Sequence, residues 1–403
     1  MSFTHAELDY LFANHEATEP GAPATELELS KKSMLADLAT LRKDCGEHAR
    51  ALVELVLARR SASKKMNPDV AFSWWADNDA VQQATPEPVA RWRAQHLVEI
   101  GAGKIADVTC SVGTELRSLH SAGLDVIGSD LDLARLRMAK RNVPQVGLFR
   151  SDATVPAAQT DVVVADPARR NSSGRINSLA DVVPSIADLR AAHGAETEFA
   201  IKCAPGIDFN DVREWGGMVD VVSVDRQVKE ACVYTPGLVA TRVSSTHSSS
   251  QRNSTLLRRA VVLREGAEPT VLTSDMPDEV TEGAPGRYLI DPDGAIVRAG
   301  LVKHYAAVHG LWQLDHRIAY VTGDVVPAGE RGFRILEEVP TKKLRGALAA
   351  RGVGKLEILV RGVDVDPDVL RKKMKLKGTG EATVVITRVG KAATAFICEA
   401  ERW

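Results

Sequence analysis

The hydrophobic pattern divides the chain into two kinds of segment. Up to about residue 100, apolar residues recur at helical spacing, as Met34, Leu35, Leu38 and Leu41 do, so we predict helices there. From about residue 103, short apolar runs alternate with amphipathic stretches, which predicts an α/β domain with a mostly parallel sheet. The predicted strands up to residue 264 number seven: KIADVTC, LDVIGSD, QVGLFRSD, TDVVVADP, EFAIKCAP, MVDVVSVD and RRAVVLRE.

In the last part of the chain, predicted strands and helices alternate again, over a shorter stretch. FRILEEV and KLEILVRGVDV predict strands, KKLRGALAARG and PDVLRKKMKL predict helices, and EATVVITRV with TAFICEA predicts a closing hairpin. We therefore expect a small α+β module at the C-terminus. The predicted parts are a helical domain at 1–97, an α/β domain at 98–265, a connecting subdomain at 266–330 and the module at 331–403.

Composition narrows the class of protein. The chain has 403 residues, of which 44% are hydrophobic and 26% charged, as is typical of globular proteins. No apolar run approaches the roughly 18 residues of a membrane span, and no signal peptide is expected from the first 20 residues. Five scattered cysteines without a CxxC pair predict free thiols in a reducing cytoplasm. Neither they nor the ten histidines show a metal-ligand spacing, so no metal is expected, and the oligomeric state stays open.

The charge is distributed unevenly. Residues 331–403 hold 16 Lys+Arg and 9 Asp+Glu, a balance of +7, while the rest of the chain carries −9. A basic module favours a polyanion partner such as RNA, although a solvated basic face explains the same count. Arg371, Lys372 and Lys375 approach one face if their helix continues, so they are candidate phosphate contacts.

The turn after the first predicted strand contains residues suited to a nucleotide-like ligand. Asp107 ends the strand, and the small residues Thr109, Cys110, Ser111 and Gly113 follow it. Small side chains let the backbone and a helix N-terminus approach a ligand closely. The GxGxxG fingerprint is absent, which counts against NAD and a dehydrogenase. An ordinary strand–helix turn is the alternative.

Acids also follow the next two strands. A carboxylate at Asp130 can accept both hydroxyls of a ribose, while Asp132 is suited to cap the next helix. Asp152, after the third strand, could accept an adenine amino group or be an ordinary loop acid. With Asp107, these acids would crowd one edge of the sheet, where they repel one another unless a ligand supplies donors.

Four segments carry a family resemblance. In chain order, DVTCSVGTEL, VIGSDLD, RSDA and DVVVADPAR resemble the motifs of class I S-adenosylmethionine-dependent methyltransferases over about residues 95–265. The resemblance implies a Rossmann-like seven-stranded sheet and S-adenosylmethionine as cofactor. It further implies that Asp107 and the loop 109–113 hold the methionine moiety, that Asp130 holds the ribose and that Asp152 holds the adenine.

The C-terminal part carries a second resemblance. YLIDPDGAIVRAG and VRGVDVDPDVLRKKMKLKGTGEATVVITRVG are similar to segments of bacterial methyltransferases that end in a THUMP-like domain. THUMP domains bind RNA, so this resemblance implies an RNA partner and agrees with the positive charge.

ADPARR follows the fourth strand and is the candidate catalytic segment. Amino-group methyltransferases carry Asp/Asn-Pro-Pro-aromatic at this place, and Asp166 and Pro167 match it. Ala168 and Arg169 depart from it, but an arginine plane can also stack on a base or pair with phosphate. The hypothesis is that Asp166, Pro167 and Arg169 position a nucleobase; an Asp–Arg ion pair that closes a turn is the structural alternative.

Two other functions remain open. Cys203 ends the fifth strand and could be the nucleophile of a carbon-5 pyrimidine methyltransferase, or a small buried residue. Lys202 could neutralise Asp166, contact phosphate or be solvated. The chain could also be a non-catalytic RNA-binding protein that retains the fold.

Overall fold

The structure is a computed structural model, and it describes residues 3–169, 179, 182–239, 256–390 and 392–402. The chain forms two compact units, Met1–Val219 with Lys229–Leu256, and Asp220–Val228 with Leu257–Trp403. None of the helices in these ranges combines the length and apolar character that a membrane span requires. The polar stretch 244–255 lies outside the described residues.

The prediction of helices before residue 100 is confirmed. Leu52, Leu55 and Ala58 on the fourth helix are fully buried, so one apolar face holds this part together. Trp74 and Trp75 belong to the same core. The helices are α1 His5–Ala13, α2 Pro23–Glu26, α3 Met34–Cys45, α4 Ala49–Ala62, α5 Pro68–Ser73, α6 Asn78–Gln83 and α7 Glu87–Glu99.

A large mixed sheet of nine strands follows. Its strands are β1 Ile105–Asp107, β2 Val126–Asp130, β3 Gly147–Arg150, β4 Val162–Ala165, β7 Glu198–Cys203, β8 Met218–Val224, β9 Gln227–Tyr234, β10 Leu257–Leu263 and β11 Thr270–Thr273. They lie in the order β11-β10-β8-β9-β7-β4-β1-β2-β3. The neighbouring strands β3, β2, β1, β4 and β7 are parallel, and β9 is antiparallel to β7. The helices of this part are α8 Thr114–Ser121, α9 Leu133–Asn142 and α10 Ile186–His193; a small separate sheet pairs β5 Ala168–Arg169 with β6 Val182–Val183.

Two of the nine strands of the large sheet were not predicted, β9 and β11. QVKEACVY forms β9 between β7 and β8, whereas the predicted seventh strand, RRAVVLRE, forms β10 on the far side of β8. Lys229 and Glu230 interrupt the apolar pattern of β9. Glu230 is nevertheless buried, because it forms an ion pair with Arg93 of α7. A local pattern cannot reveal a charge whose partner is 137 residues away.

The second unit contains a sheet of seven strands. They are β12 Tyr288–Ile290, β13 Trp312–Gln313, β14 Val321–Gly323, β15 Arg331–Pro340, β16 Val353–Arg361, β17 Gly380–Val389 and β18 Ala392–Arg402, in the order β13-β14-β12-β15-β18-β17-β16. Its helices are α11 Gly294–Arg298, α12 Val302–Val308, α13 Leu344–Ala350 and α14 Pro367–Met374. The predicted strands, helices and hairpin of the C-terminal module are confirmed. The boundaries of the four predicted parts remain predictions.

The predicted basic face of α14 needs correction. The helix ends at Met374, and Lys375 takes a left-handed backbone conformation with φ 46°, so it does not continue the face of Arg371 and Lys372. Arg371 is engaged within the chain, because it forms an ion pair with Asp368 and its Nε donates to the Leu356 carbonyl at 3.3 Å. Lys372 and Lys375 are exposed.

Gly128 in β2 tests the packing of the large sheet. A Cβ there would lie 2.5 Å from Leu116 Cδ1 and 2.9 Å from Leu148 Cδ2, which ordinary contacts forbid. We expect Gly128→Ala to lower the free energy of unfolding by about 1–3 kcal/mol in urea titration. Gly147→Ala in β3 is the matched control, since its nearest contact would be 3.7 Å, and it should change stability by less than about 1 kcal/mol. Equal losses in both variants would contradict this account of the packing.

Candidate active site

The parallel strands bring their carboxyl ends to one edge of the sheet, and a cleft of about 820 Å³ opens there. This is the edge where open α/β sheets bind ligands. Most of the predicted site residues therefore come together, although they are spread over about 100 positions. Those that line the cleft are Asp107, Thr109, Cys110, Ser111, Asp130, Asp152, Asp166, Pro167 and Lys202.

Asp107 at the end of β1 is the most perturbed acid of the cleft. Its side chain is buried, and its Oδ1 accepts the Thr109 N–H at 3.2 Å. Burial, and then the negative charge of Glu115, raise the pKa of Asp107 to about 8. The carboxyl group is therefore mostly protonated at neutral pH until a cation comes close to it.

The loop after β1 keeps a glycine-like conformation with few glycines. Ser111 has φ 49°, in the left-handed region that glycine adopts most easily. Its N–H donates to Asp130 Oδ2 at 2.9 Å, which holds the loop against the end of β2. Gly113 has φ 87° and precedes α8, and a Cβ there would lie 3.0 Å from Val143 Cγ2. Gly113 thus shapes the loop but does not line the cleft. Cys110 does line the cleft, although its side chain is buried.

Asp132 caps the next helix as predicted, whereas the ribose-binding role of Asp130 stays a prediction. Asp132 Oδ1 accepts the N–H groups of Ala134 and Arg135 and caps α9. Asp130 Oδ1 instead accepts the Asp132 N–H at 2.9 Å, which orients its carboxylate at the cleft.

Asp152 follows β3 and is mainly solvent-exposed. Its Oδ1 accepts both the N–H and the hydroxyl of Thr154, at 2.8 and 2.7 Å. These hydrogen bonds lower the pKa of Asp152, so it is ionised at neutral pH. Its carboxylate is thus a turn-forming group that also borders the cleft.

Asp166 is fixed in place by two contacts. Its N–H donates to Thr109 Oγ1 at 2.7 Å, which ties the end of β4 to the loop after β1. Its Oδ2 accepts Lys202 Nζ at 2.6 Å, and the two side chains are 44% and 11% exposed. The cleft therefore presents an adjacent acceptor and donor, both charged and both held by the sheet.

The remainder of ADPARR is described only in part. Pro167 is buried and lines the cleft, and Ala168 and Arg169 form β5, paired with Val183 and Val182. The Arg169 side chain and residues 170–178 lie outside the described part, so the predicted stacking role of Arg169 stays a prediction.

Cys203 is poorly suited to be a nucleophile. Its Sγ donates to the Ile201 carbonyl at 3.5 Å and it does not line the cleft. Burial, and then the nearby Cys232 and Asp166, raise its thiol pKa well above the usual value. A nucleophilic cysteine needs the opposite shift, because the thiolate is the reactive form.

Sequence reasoning missed two groups of cleft residues. Ala80, Gln83, Ala84 and Thr85 form one wall, although they belong to the helical part of the chain. Glu115 and Arg135 line the cleft from α8 and α9. The sequence offered two local signals for these residues: the segment QATPEPVA at 83–90 and Glu115 in the first turn of α8. Arg371, Lys372 and Lys375 lie in the second unit and are not among the lining residues.

Comparison with known proteins identifies the family. The chain is 41% identical over 379 residues to proteins of two Mycobacterium tuberculosis strains, both described as uncharacterized S-adenosylmethionine-dependent methyltransferases. The alignment covers 90% of this chain and 100% of each relative. The chain belongs to the S-adenosylmethionine-dependent methyltransferases.

Two further comparisons concern the C-terminal segment and the fold. Residues 330–400 match the family model described as THUMP domain-like. The crystal structure of a candidate methyltransferase from Porphyromonas gingivalis covers 100% of both chains with a TM-score of 0.72. At 18% identity, that structure supports the fold.

The residues of the cleft fit S-adenosylmethionine, the methyl donor of this family. Buried acid at Asp107 and Glu115 suits a cationic group, Asp130 suits paired hydroxyls, and the left-handed Ser111 allows close backbone approach.

The raised pKa of Asp107 has a consequence for the stability of the methyltransferase. An acid with pKa about 8 when folded and about 4 when unfolded costs stability as the pH rises between these values. We expect Asp107→Asn to raise the melting temperature by at least ~3 °C at pH 8, with little gain at pH 4.

Asp152→Asn is the control with the opposite sign. Its pKa is lowered on folding, so loss of its charge should give no gain at any pH. A pH-independent effect of Asp107→Asn in thermal unfolding would contradict the proposed protonation.

Proposed function

We propose that this methyltransferase modifies a nucleobase in RNA and that Asp166 orients the target group. The observation that carries the proposal is the Asp166–Lys202 pair in the same cleft as the strand-end acids. A carboxylate next to an ammonium complements the edge of a base, which offers an N–H donor beside an acceptor.

The cofactor end of the cleft has defined roles in this proposal. Asp107 and the loop 109–113 hold the amino-acid moiety, Asp130 holds the ribose hydroxyls and Asp152 holds the adenine. S-adenosylmethionine supplies an already reactive methyl group on a sulfonium. The protein therefore contributes mainly alignment: Thr109 fixes the backbone of Asp166, and Lys202 fixes its carboxylate.

Lys65, which lies beside one wall of the cleft, supports an anionic substrate. Lys65 Nζ donates to the carbonyls of Gln82 and Ala84, and Ala84 lines the cleft. Burial lowers the pKa of Lys65, and the charges of Lys229 and Lys202 lower it further. The charges of Lys229 and Lys202 thus both act on Lys65, and a phosphate of the substrate would stabilise the charged form of Lys65.

The second unit supports RNA as the source of that phosphate. Its THUMP domain-like segment lies in the part of the chain with a charge of +7. Lys372 and Lys375 are exposed there, on α14 and directly after it. RNA in a reducing cytoplasm is accordingly the partner that we propose.

The catalytic role of Asp166 can be tested by substitution. We expect Asp166→Ala to lower methyl transfer to RNA at least ~100-fold, while affinity for S-adenosylhomocysteine changes less than about threefold. Cys203→Ser is the matched control and should stay active, because the thiol does not line the cleft and its pKa is raised. Loss of activity in Cys203→Ser alone would favour carbon-5 methylation through that thiol.

The substrate is read from the modified nucleosides. Mass spectrometry of RNA from cells with and without the gene should show one methylated nucleoside that depends on Asp166. An unchanged profile with intact cofactor binding would point to a protein or small-molecule substrate. Failure to bind S-adenosylhomocysteine at millimolar concentration would favour the non-catalytic RNA-binding alternative.

We expect the basic C-terminal module to contribute to RNA binding independently of the cleft. We expect the double variant Lys372→Ala/Lys375→Ala to weaken RNA binding and to reduce the salt dependence, as the loss of about two phosphate contacts should. Lys355→Ala removes one exposed charge that is already paired with Glu381 at 2.6 Å, and should bind RNA like the wild type. Unchanged binding by the double variant in a fluorescence titration would argue against this surface.

A further inference from the structure

A buried ion network lies beneath the β1 end of the cleft. Arg93 of α7 donates from Nη1 to Glu115 Oε1 of α8 at 2.6 Å, and from Nη2 to Glu230 of β9. The three side chains are 1%, 8% and 8% exposed. One guanidinium therefore serves two buried carboxylates, which leaves the network with a net negative charge.

Arg93 and Glu115 each keep one buried polar atom without a hydrogen-bond partner among the described residues, and of the two only Glu115 lines the cleft. The atom of Glu115 is Oε2. A buried carboxylate oxygen without a donor is costly, so such groups nearly always have partners. Glu115 also lines the cleft, unlike Glu230.

The neighbour of Glu115 is also short of cations. Asp107 is buried beside it, and the charge of Glu115 is the second cause, after burial, that keeps Asp107 protonated. Lys202, the cation that acts favourably on Asp107, is paired with Asp166. The cations near Asp107 and Glu115 are thus shared with other carboxylates, so these two buried groups lack a full compensating positive charge.

We propose that Glu115, together with Asp107, binds the α-ammonium group at the amino-acid end of the cofactor, and that Arg93 positions Glu115 for this contact. A primary ammonium supplies three donors and a positive charge, which satisfies Oε2 and ionises Asp107. The inference rests on the proposed position of the cofactor in this cleft.

A purely structural role of the network makes a different prediction. If Glu115 only joins α7, α8 and β9, its substitution should weaken all cofactor analogues alike through loss of stability. If it binds the ammonium, the loss should be confined to ligands that carry one. Two ligands that differ only in the amino group therefore separate the two roles.

The experiment is calorimetry with S-adenosylhomocysteine and with its analogue in which hydrogen replaces the α-amino group. We expect Glu115→Gln to weaken S-adenosylhomocysteine at least ~10-fold and the deaminated analogue less than about twofold. The amide keeps an oxygen for Arg93 but removes the charge. Glu230→Gln removes the other carboxylate charge on Arg93 without touching the cleft, and it should affect both ligands equally.

Melting curves establish that each variant is folded before titration. Should Glu115→Gln not fold, Glu115→Asp keeps the charge but withdraws it by one methylene, and selective weakening of S-adenosylhomocysteine is expected again. If the affinity for both ligands falls equally, or for neither falls, the role of Glu115 is overturned while the proposed function stays intact. If the wild type binds S-adenosylhomocysteine no better than its deaminated analogue, no ammonium site exists; if it binds neither ligand, the proposed function fails as well.

Discussion

The buried guanidinium of Arg93 is the interaction on which the first unit depends. It joins α7 of the N-terminal part, α8 after β1 and the distant strand β9, whose Glu230 lies 137 residues after Arg93. Burial alone would lower the pKa of Arg93, but the carboxylate of Glu115 raises it well above its usual value, so it remains charged. Loss of such a cation leaves two buried carboxylates unpaired, which is far costlier than the loss of a surface pair.

The same excess of negative charge shapes the cleft. Parallel strands place their carboxyl ends at one edge, so acids that follow successive strands necessarily become neighbours. The protein relieves their repulsion in several ways: Asp107 keeps a proton, Asp130 accepts two backbone N–H groups, and Asp166 pairs with Lys202. The negative charge and the acceptor oxygens that remain without a partner suit a cationic ligand with hydroxyl groups.

The loop after β1 shows how a motif can lose glycines and keep its geometry. Ser111 adopts the left-handed conformation at a conformational cost of roughly 1–2 kcal/mol, offset in part by the hydrogen bond from its N–H to Asp130. Gly113 is retained where Val143 leaves little room for a side chain. The resemblance of this loop to the family was therefore a better guide than its glycine count.

Local pattern alone determined the helical start, the strand–helix alternation and the acids at the ends of β1, β2 and β4, because strand ends and helix caps depend on nearby residues. It also placed the elements of the C-terminal module. It did not determine that β9 lies between β7 and β8, that α14 ends before Lys375, or that Lys202 reaches Asp166. In the sequence, Arg93 and Glu115 cannot be told from the exposed charged residues of a helix, because burial depends on packing between distant segments. Only the tertiary structure could bring those charges together beneath the cleft.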